Sequence, residues 1–204
     1  MNQAEPSGAS WGDWVHGEYT PNTLVRMLHA SAAETRQSSA WALGWIGEES
    51  HLEAIGPLLR DGCLGVRSAA DQARQAIVKR TQSPWHRRCA ARIESMLAAA
   101  QWSQACALAN ALVEETESRA DAFMLRAGVR FCNQQLAWAA DDCKRTLSID
   151  PYCYRACIAL GQCFWHQQRD AAARECFYEA ARIYPDWGPA YASLRLVQRS
   201  EKVA

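Results

Sequence analysis

The sequence has no surplus of positive charge: Lys plus Arg and Asp plus Glu number 22 each among 204 residues, and the formal net charge is zero. That removes the electrostatic footprint that a nucleic-acid backbone or an anionic bilayer selects. No apolar run approaches the roughly 20 residues of a membrane-spanning helix. The N-terminus also lacks a basic start followed by an apolar stretch, so neither an anchor nor an export signal is expected. A cytoplasmic protein with no nucleic-acid and no membrane partner is the resulting expectation.

Concentrated catalytic chemistry is missing too. The five histidines, His16, His29, His51, His86 and His166, fall in different segments. No motif places a Ser or Cys nucleophile beside any of them, and no second group orients a base. The pairs Glu48-Glu49 and Asp141-Asp142 read as surface charge, because neighbours on a helix point in different directions. Gly44 and Gly47 close a helical pattern rather than joining a strand to a helix, so no phosphate-cradling loop is present. The expectation is no enzyme and no cofactor.

Cysteine is not scarce, but its pattern is not a framework. The count is nine and the spacing irregular, and Cys89, Cys143, Cys157 and Cys176 stand where a small apolar side chain packs in a helix. Reduced, structural thiols are expected. Cys153, Cys157, Cys163 and His166 are the nearest thing to a metal cluster. They would all come from a single helix and its lead-in, which cannot wrap a tetrahedral ion, so no metal site is expected.

What the chain does have is self-similarity. Asp141-Asp142-Cys143-Lys144-Arg145-Thr146-Leu147-Ser148-Ile149-Asp150-Pro151 and Arg174-Glu175-Cys176-Phe177-Tyr178-Glu179-Ala180-Ala181-Arg182-Ile183-Tyr184-Pro185 end alike, and their prolines stand 34 residues apart. The same offset carries Phe123 to Cys157, Ala127 to Gly161, Ala139 to Ala173 and Ile149 to Ile183. A period of that length, with small residues in the helices and a closing proline, marks a helix-turn-helix repeat. Residues 120–153, with Ala122-Phe123, Ala127, Ala139 and the ending Asp142-Cys143 to Pro151, resemble a tetratricopeptide (TPR) repeat. Residues 154–187 resemble it through Leu160-Gly161, Phe164, Ala173, Phe177, Ala180 and Pro185. A degraded unit covers residues 86–119, supported by Trp102 and Ala105. Residues 188–203, with Tyr191 and Leu194, read as the capping helix that repeat arrays require.

Upstream, a different interval appears. Thr20-Pro21 reads as an N-cap and first-turn proline before a helix through Leu24, Met27 and Leu28 to about Ala30. The run Thr35-Arg36-Gln37-Ser38-Ser39-Ala40-Trp41-Ala42-Leu43-Gly44-Trp45-Ile46-Gly47 leads to a helix through Leu52, Ile55, Leu58 and Leu59. It recurs weakly from Val66 to Ile77, with Arg36 and Arg67, Ala42 and Ala73, and Ile46 and Ile77 each 31 apart. The pattern resembles the short HEAT-like repeat of phycobilisome-lyase relatives, with Arg74 and Gln75 departing from it where the first copy has Leu43 and Gly44. Gly62 and Gly65 are expected to break the helices between the copies, and Thr81-Gln82-Ser83-Pro84 to divide the halves.

These resemblances imply an all-α chain, a right-handed α-solenoid of antiparallel helix pairs. Its parts would be an irregular segment over 1–19 bearing Trp11, Trp14 and Tyr19, HEAT-like repeats over 20–83, and TPR-like repeats with a cap over 84–204. The resemblance further implies that the first helix of each TPR pair lines a concave face. It maps there an apolar strip of Met124, Phe131, Ile158 and Trp165, flanked by Arg87, Arg155, Gln162 and His166. A helical stripe alone leaves Phe131 and Trp165 open to two readings, groove or buried core. The carboxylate clamp of chaperone-binding TPR domains is not matched, since Ala90, Glu94, Met124 and Gly128 supply no Lys or Asn. The function expected is a non-enzymatic adaptor or scaffold that binds a protein or peptide partner in this groove. Two alternatives are a lyase-like, cofactor-handling accessory protein and a homodimer joined through the same strip.

Overall fold

The structure is a computed structural model that describes residues 15, 17–116 and 118–200, with side chains to Val197. Trp11, Trp14, His16 and the rest of the N-terminal stretch to residue 14 lie outside the described residues. Val15, Gly17 and Glu18 are helical, so the irregular segment expected to reach residue 19 ends earlier. Burial of Val15 is the physical reason.

Among the described residues the secondary structure is entirely helical. The chain divides into two compact units between Thr81 and Gln82. The first holds α1 (Pro21–Met27), α2 (Ala33–Ile46), a single turn α3 (Leu52–Ile55) and α4 (Leu64–Thr81). The second holds α5 (Pro84–Ala98), α6 (Trp102–Glu115), α7 (Ala120–Cys132), α8 (Leu136–Ile149), α9 (Tyr154–His166), α10 (Asp170–Ile183) and α11 (Gly188–Ser200).

In the first unit Thr20 caps α1, its hydroxyl accepting from the Thr23 amide at 3.2 Å. The helix expected through Leu52 to Leu59 is instead α3 between two 3-10 turns, Glu49–His51 and Gly56–Arg60. Pro57 has no N–H to continue the α ladder, and its ring crowds the preceding turn. Gly65, expected to break a helix, lies inside α4. A Cβ there would meet the Gln37 side chain at 2.7 Å, so the glycine permits close approach rather than ending the helix. Gly44 does the same at the α2–α4 crossing, where a Cβ would sit 3.1 Å from the Ala73 Cα.

The 31-residue interval has a structural counterpart. Arg36 Nη1 donates to the carbonyls of Ala30 and Ser31, six and five residues upstream. Arg67 Nη1 donates to those of Asp61 and Gly62, again six and five residues upstream. Each arginine thus ties its helix to the turn that precedes it.

The second unit is an α-solenoid of helix pairs in strict register. Helices α6, α8 and α10 begin at Trp102, Leu136 and Asp170 and end at Glu115, Ile149 and Ile183; α5, α7 and α9 end at Ala98, Cys132 and His166. Each step is 34 residues. Ala100, Gln134 and Gln168, at the same interval, are the non-glycine residues with positive φ among the described residues (54°, 59° and 59°). At each, the next amide bonds back to a carbonyl five residues earlier: Gln101 to Met96, Gln135 to Arg130 and Arg169 to Phe164. This left-handed turn closes the first helix of a pair and satisfies its last carbonyls. The degraded first unit therefore keeps the geometry that its sequence has half lost.

Between the pairs the core is small-residue rich. One cluster includes Cys89, Ile93, Ala105, Ala109, Leu112 and Phe123. The next joins Ala127, Ala139, Ala140, Cys143, Leu160 and Cys163. Gly161 lets α10 reach α9, since a Cβ there would lie 2.5 Å from the Phe177 ring.

Candidate peptide-binding groove

The first helices of the pairs are neighbours: α5 packs beside α7, α7 beside α9 and α9 beside α11. The residues expected on a concave face lie on α5, α7 and α9. Arg87, on α5, is exposed, its Nη1 donating to the Gln82 carbonyl at 3.1 Å. On α7, Asp121 accepts from Gln82 Nε2 at 2.7 Å and Arg119 Nε at 3.0 Å, with His86 Nε2 at 3.3 Å. Met124 follows, half-buried, and then Gly128, where a Cβ would meet nothing within 4 Å.

The aromatic part lies at the far end of α7 and α9. Phe131 is half-buried, packed against the Ala127–Leu160 cluster, and its ring is 5.2 Å from that of His166. Trp165 is half-buried as well, 5.5 Å from the same imidazole. Both are thus half-buried, between the two readings their periodicity left open. Gln162 and His166 are exposed beside them.

Ile158 differs from the expectation, being buried at 8% exposure. It lies on α9, which is surrounded by α7, α8, α10 and α11. Of the four apolar residues expected in the strip, Met124, Phe131 and Trp165 are half-buried and Ile158 is buried. Arg155 is exposed, but its guanidinium lies 5.4 Å from the Trp187 ring and 5.8 Å from that of Tyr154. Cation–π contact pre-orients that charge. The repeat pattern alone does not single out Trp187, two residues beyond Pro185; its place just after a closing proline is the available signal.

Asp142 is a second departure. The sequence predicts surface charge for both carboxylates, and Asp141 does face solvent with Lys144 at 2.9 Å. Asp142 is buried, and accepts from Arg126 Nε and Nη2 at 3.0 and 2.7 Å and from Arg130 Nη1 at 2.7 Å. The 100° step between neighbours on a helix sends the two carboxylates to opposite environments.

Three of the thiols in the second unit are held protonated, while contact with Cys143 lowers Cys163. Burial pushes Cys157 up to about 12 and Cys176 up to about 11, and Cys143 is raised by its contact with Cys163 and by burial. A buried thiol that stays protonated is inert. Among the described residues no three His, Cys, Asp or Glu side chains are grouped to hold a metal ion. No helix among them is long and apolar enough to cross a membrane.

No protein-family model matches the chain, and no curated protein matches it. Solved structures do. The TPR domain of Sgt2 from Aspergillus fumigatus superimposes with a TM-score of 0.56 at 16% identity, over 59% of this chain and 81% of that one. The first TPR of Spaghetti (RPAP3), bound to the HSP90 peptide SRMEEVD, gives 0.55 at 14%, over 59% and 96%. The Yersinia enterocolitica type III secretion chaperone SycD, in complex with a peptide of the translocator YopD, gives 0.53 at 12%, over 59% and 97%. At these identities the likeness is one of fold. The chain carries a TPR-type array of helix pairs.

Proposed function

We propose that the second unit binds a protein segment, a short helix or an extended peptide, along the face formed by α5, α7 and α9, and that the protein works as a non-enzymatic adaptor. The observation that carries this reading is the open floor at Gly128, between half-buried Met124 and Phe131. Such half-covered apolar side chains gain most from a partner that completes their burial. Arg87 and Arg155 at the flanks would select its charge. Spaghetti and SycD, whose structures are similar, were each captured with a peptide bound, which supports the same use here.

The test is a displayed-peptide selection against the full chain, followed by binding measurements on variants. Gly128→Trp fills the open floor, and Trp165→Ala with Arg155→Ala removes the far wall. Loss of about tenfold or more in affinity for both, with thermal stability retained, is the expected result. Peptides that bind all variants equally would sink the assignment.

A second reading, self-association, draws support from α11, where Tyr191 and Leu196 are 42% and 47% exposed. Light scattering over a concentration range distinguishes it: a mass that rises with concentration and falls back in Leu196→Glu favours the dimer. The HEAT-like reading of the first unit is likewise a proposal, supported by the matched bonds of Arg36 and Arg67.

A further inference from the structure

An open hollow of ≈ 520 Å³ lies at the turn edge of the second unit. It is lined by Gln134 and Gln135 from the turn between α7 and α8, by Leu136, Ala137 and Trp138 from the first turn of α8, and by Gln167 just after α9. Trp138 is 60% exposed, the most of any aromatic side chain among the described residues. The repeat does not require it, since the residues 34 before and after are Gln104 and Ala172. Its exposure is also not looseness. The Arg130 guanidinium lies over the indole, 5.3 Å from the ring centroid, and Nη1 donates to the Trp138 carbonyl at 3.4 Å. Buried Asp142, accepting from the same Nη1 at 2.7 Å, anchors that arginine and answers its charge. One face of the indole is thus braced from within the fold by cation–π contact. Around it stand three primary amides, and among the described residues none lining the hollow is charged. Gln134 brings its amide there from φ 59°, a conformation unfavourable to any residue with a Cβ.

We propose that this hollow binds a neutral saccharide, with one pyranose ring stacked on the face of the Trp138 indole opposite Arg130 and its hydroxyls meeting the glutamine amides. A pyranose whose hydroxyls are all equatorial, as in a β-glucoside, presents only axial C–H bonds on either face. Those weakly positive hydrogens match the negative face of an aromatic ring. The hydroxyls at its rim both donate and accept, as primary amides do. A purely apolar anchor would leave the amides unmatched. An anion would lose hydration without gaining a counter-charge, because Arg130 is already paired with Asp142. The hollow shares no residue with the face proposed for peptides.

The experiment is a proton–nitrogen NMR titration of the full chain with cellotriose and with methyl β-D-glucuronide, a single ring of the same configuration bearing a carboxylate, beside its neutral counterpart methyl β-D-glucoside. The backbone amides of Gln135 and Gln167 report on the hollow. Both neutral sugars should move them saturably, with affinities of about 0.1–10 mM for so small a contact. The glucuronide should bind about fivefold more weakly than the glucoside, or less tightly still. Trp138→Ala should weaken cellotriose by about tenfold, and Gln134→Gly, which removes one amide while relieving the backbone, by about fivefold. Trp45→Ala, in the first unit, should leave binding unchanged. Circular dichroism melts verify that each variant is folded. Three results would overturn the proposal: no saturable shift with either neutral sugar up to about 50 mM, a glucuronide that binds as tightly as the glucoside, or cellotriose affinity unmoved by Trp138→Ala in folded protein. A selected peptide that shifts these amides when neither neutral sugar does would also overturn it, assigning the hollow to the protein partner.

Discussion

At Asp142 the second unit holds a carboxylate out of water between two guanidinium groups, with α7 supplying both arginines and α8 the acid. Its oxygens accept three charged hydrogen bonds, so removing it leaves Arg126 and Arg130 facing each other without a counter-ion. Asp142→Ala is expected to cost about 3 kcal/mol, the usual penalty for breaking a buried pair, read as the shift in a urea unfolding curve. A loss below about 1 kcal/mol would mean that the arginines simply turn to solvent. In the first unit the Arg36 guanidinium, bonded to both oxygens of Asp61 at 2.7 and 2.9 Å, holds that carboxyl below its ordinary value of 3.8. The folded value is depressed, so the stabilisation is complete above the ordinary value and disappears as pH falls through the lower folded one. Wild type and Asp61→Asn, unfolded with urea from pH 6 down to 2, should therefore differ in stability above about pH 4 and converge below it. A gap that stays constant with pH would sever the link between this ion pair and acid sensitivity.

Within the elements, the left-handed residues are the informative feature. Ala100, Gln134 and Gln168 carry positive φ where glycine would be unstrained, yet none is glycine. An L-residue there costs about 1–2 kcal/mol, and glycine returns part of that through the entropy of the unfolded chain. Gln134→Gly is expected to stabilise the second unit by about 0.5–1 kcal/mol, measured by thermal or urea unfolding. Destabilisation instead would mean that the Gln134 side chain makes a contact worth more than the backbone strain. These turns could not be read from the sequence, because the usual signal for a left-handed helix end is glycine or asparagine and the chain has Ala and Gln. The helix pairs themselves could be, since Ala139, Ala173 and the closing Pro151 and Pro185 are backbone and packing requirements that only a few residue types meet.

For the whole molecule, two compact units divided between Thr81 and Gln82 lead to an expectation about independence. Residues 82–204 contain complete helix pairs with their own clusters of buried side chains, and repeat arrays draw their stability from neighbouring pairs. Expressed alone, this piece should keep its helical circular dichroism and melt cooperatively. A non-cooperative melt would show that the first unit is needed to hold the array. The peptide groove is legible at the same scale only in part. Arg87, Met124, Gln162 and His166 are placed on the proposed face by the resemblance to TPR repeats, whereas the burial of Ile158 and the pairing of Arg155 with Trp187 are not legible at all. Both depend on what α9 and the residues after α10 bring alongside, which periodicity in a single helix does not contain.

The sequence by itself determined the repeat: a 34-residue interval of small residues and closing prolines leaves one workable way to stack helices, because only Ala, Gly or Cys allows their backbones to come so close. It also determined the absence of charge surplus. Tertiary structure alone decided the rest. It turned Asp142 inward to two arginines and left Phe131 and Trp165 half-buried. Those outcomes depend on distances between side chains far apart in sequence, and a pattern along one chain carries no such distances.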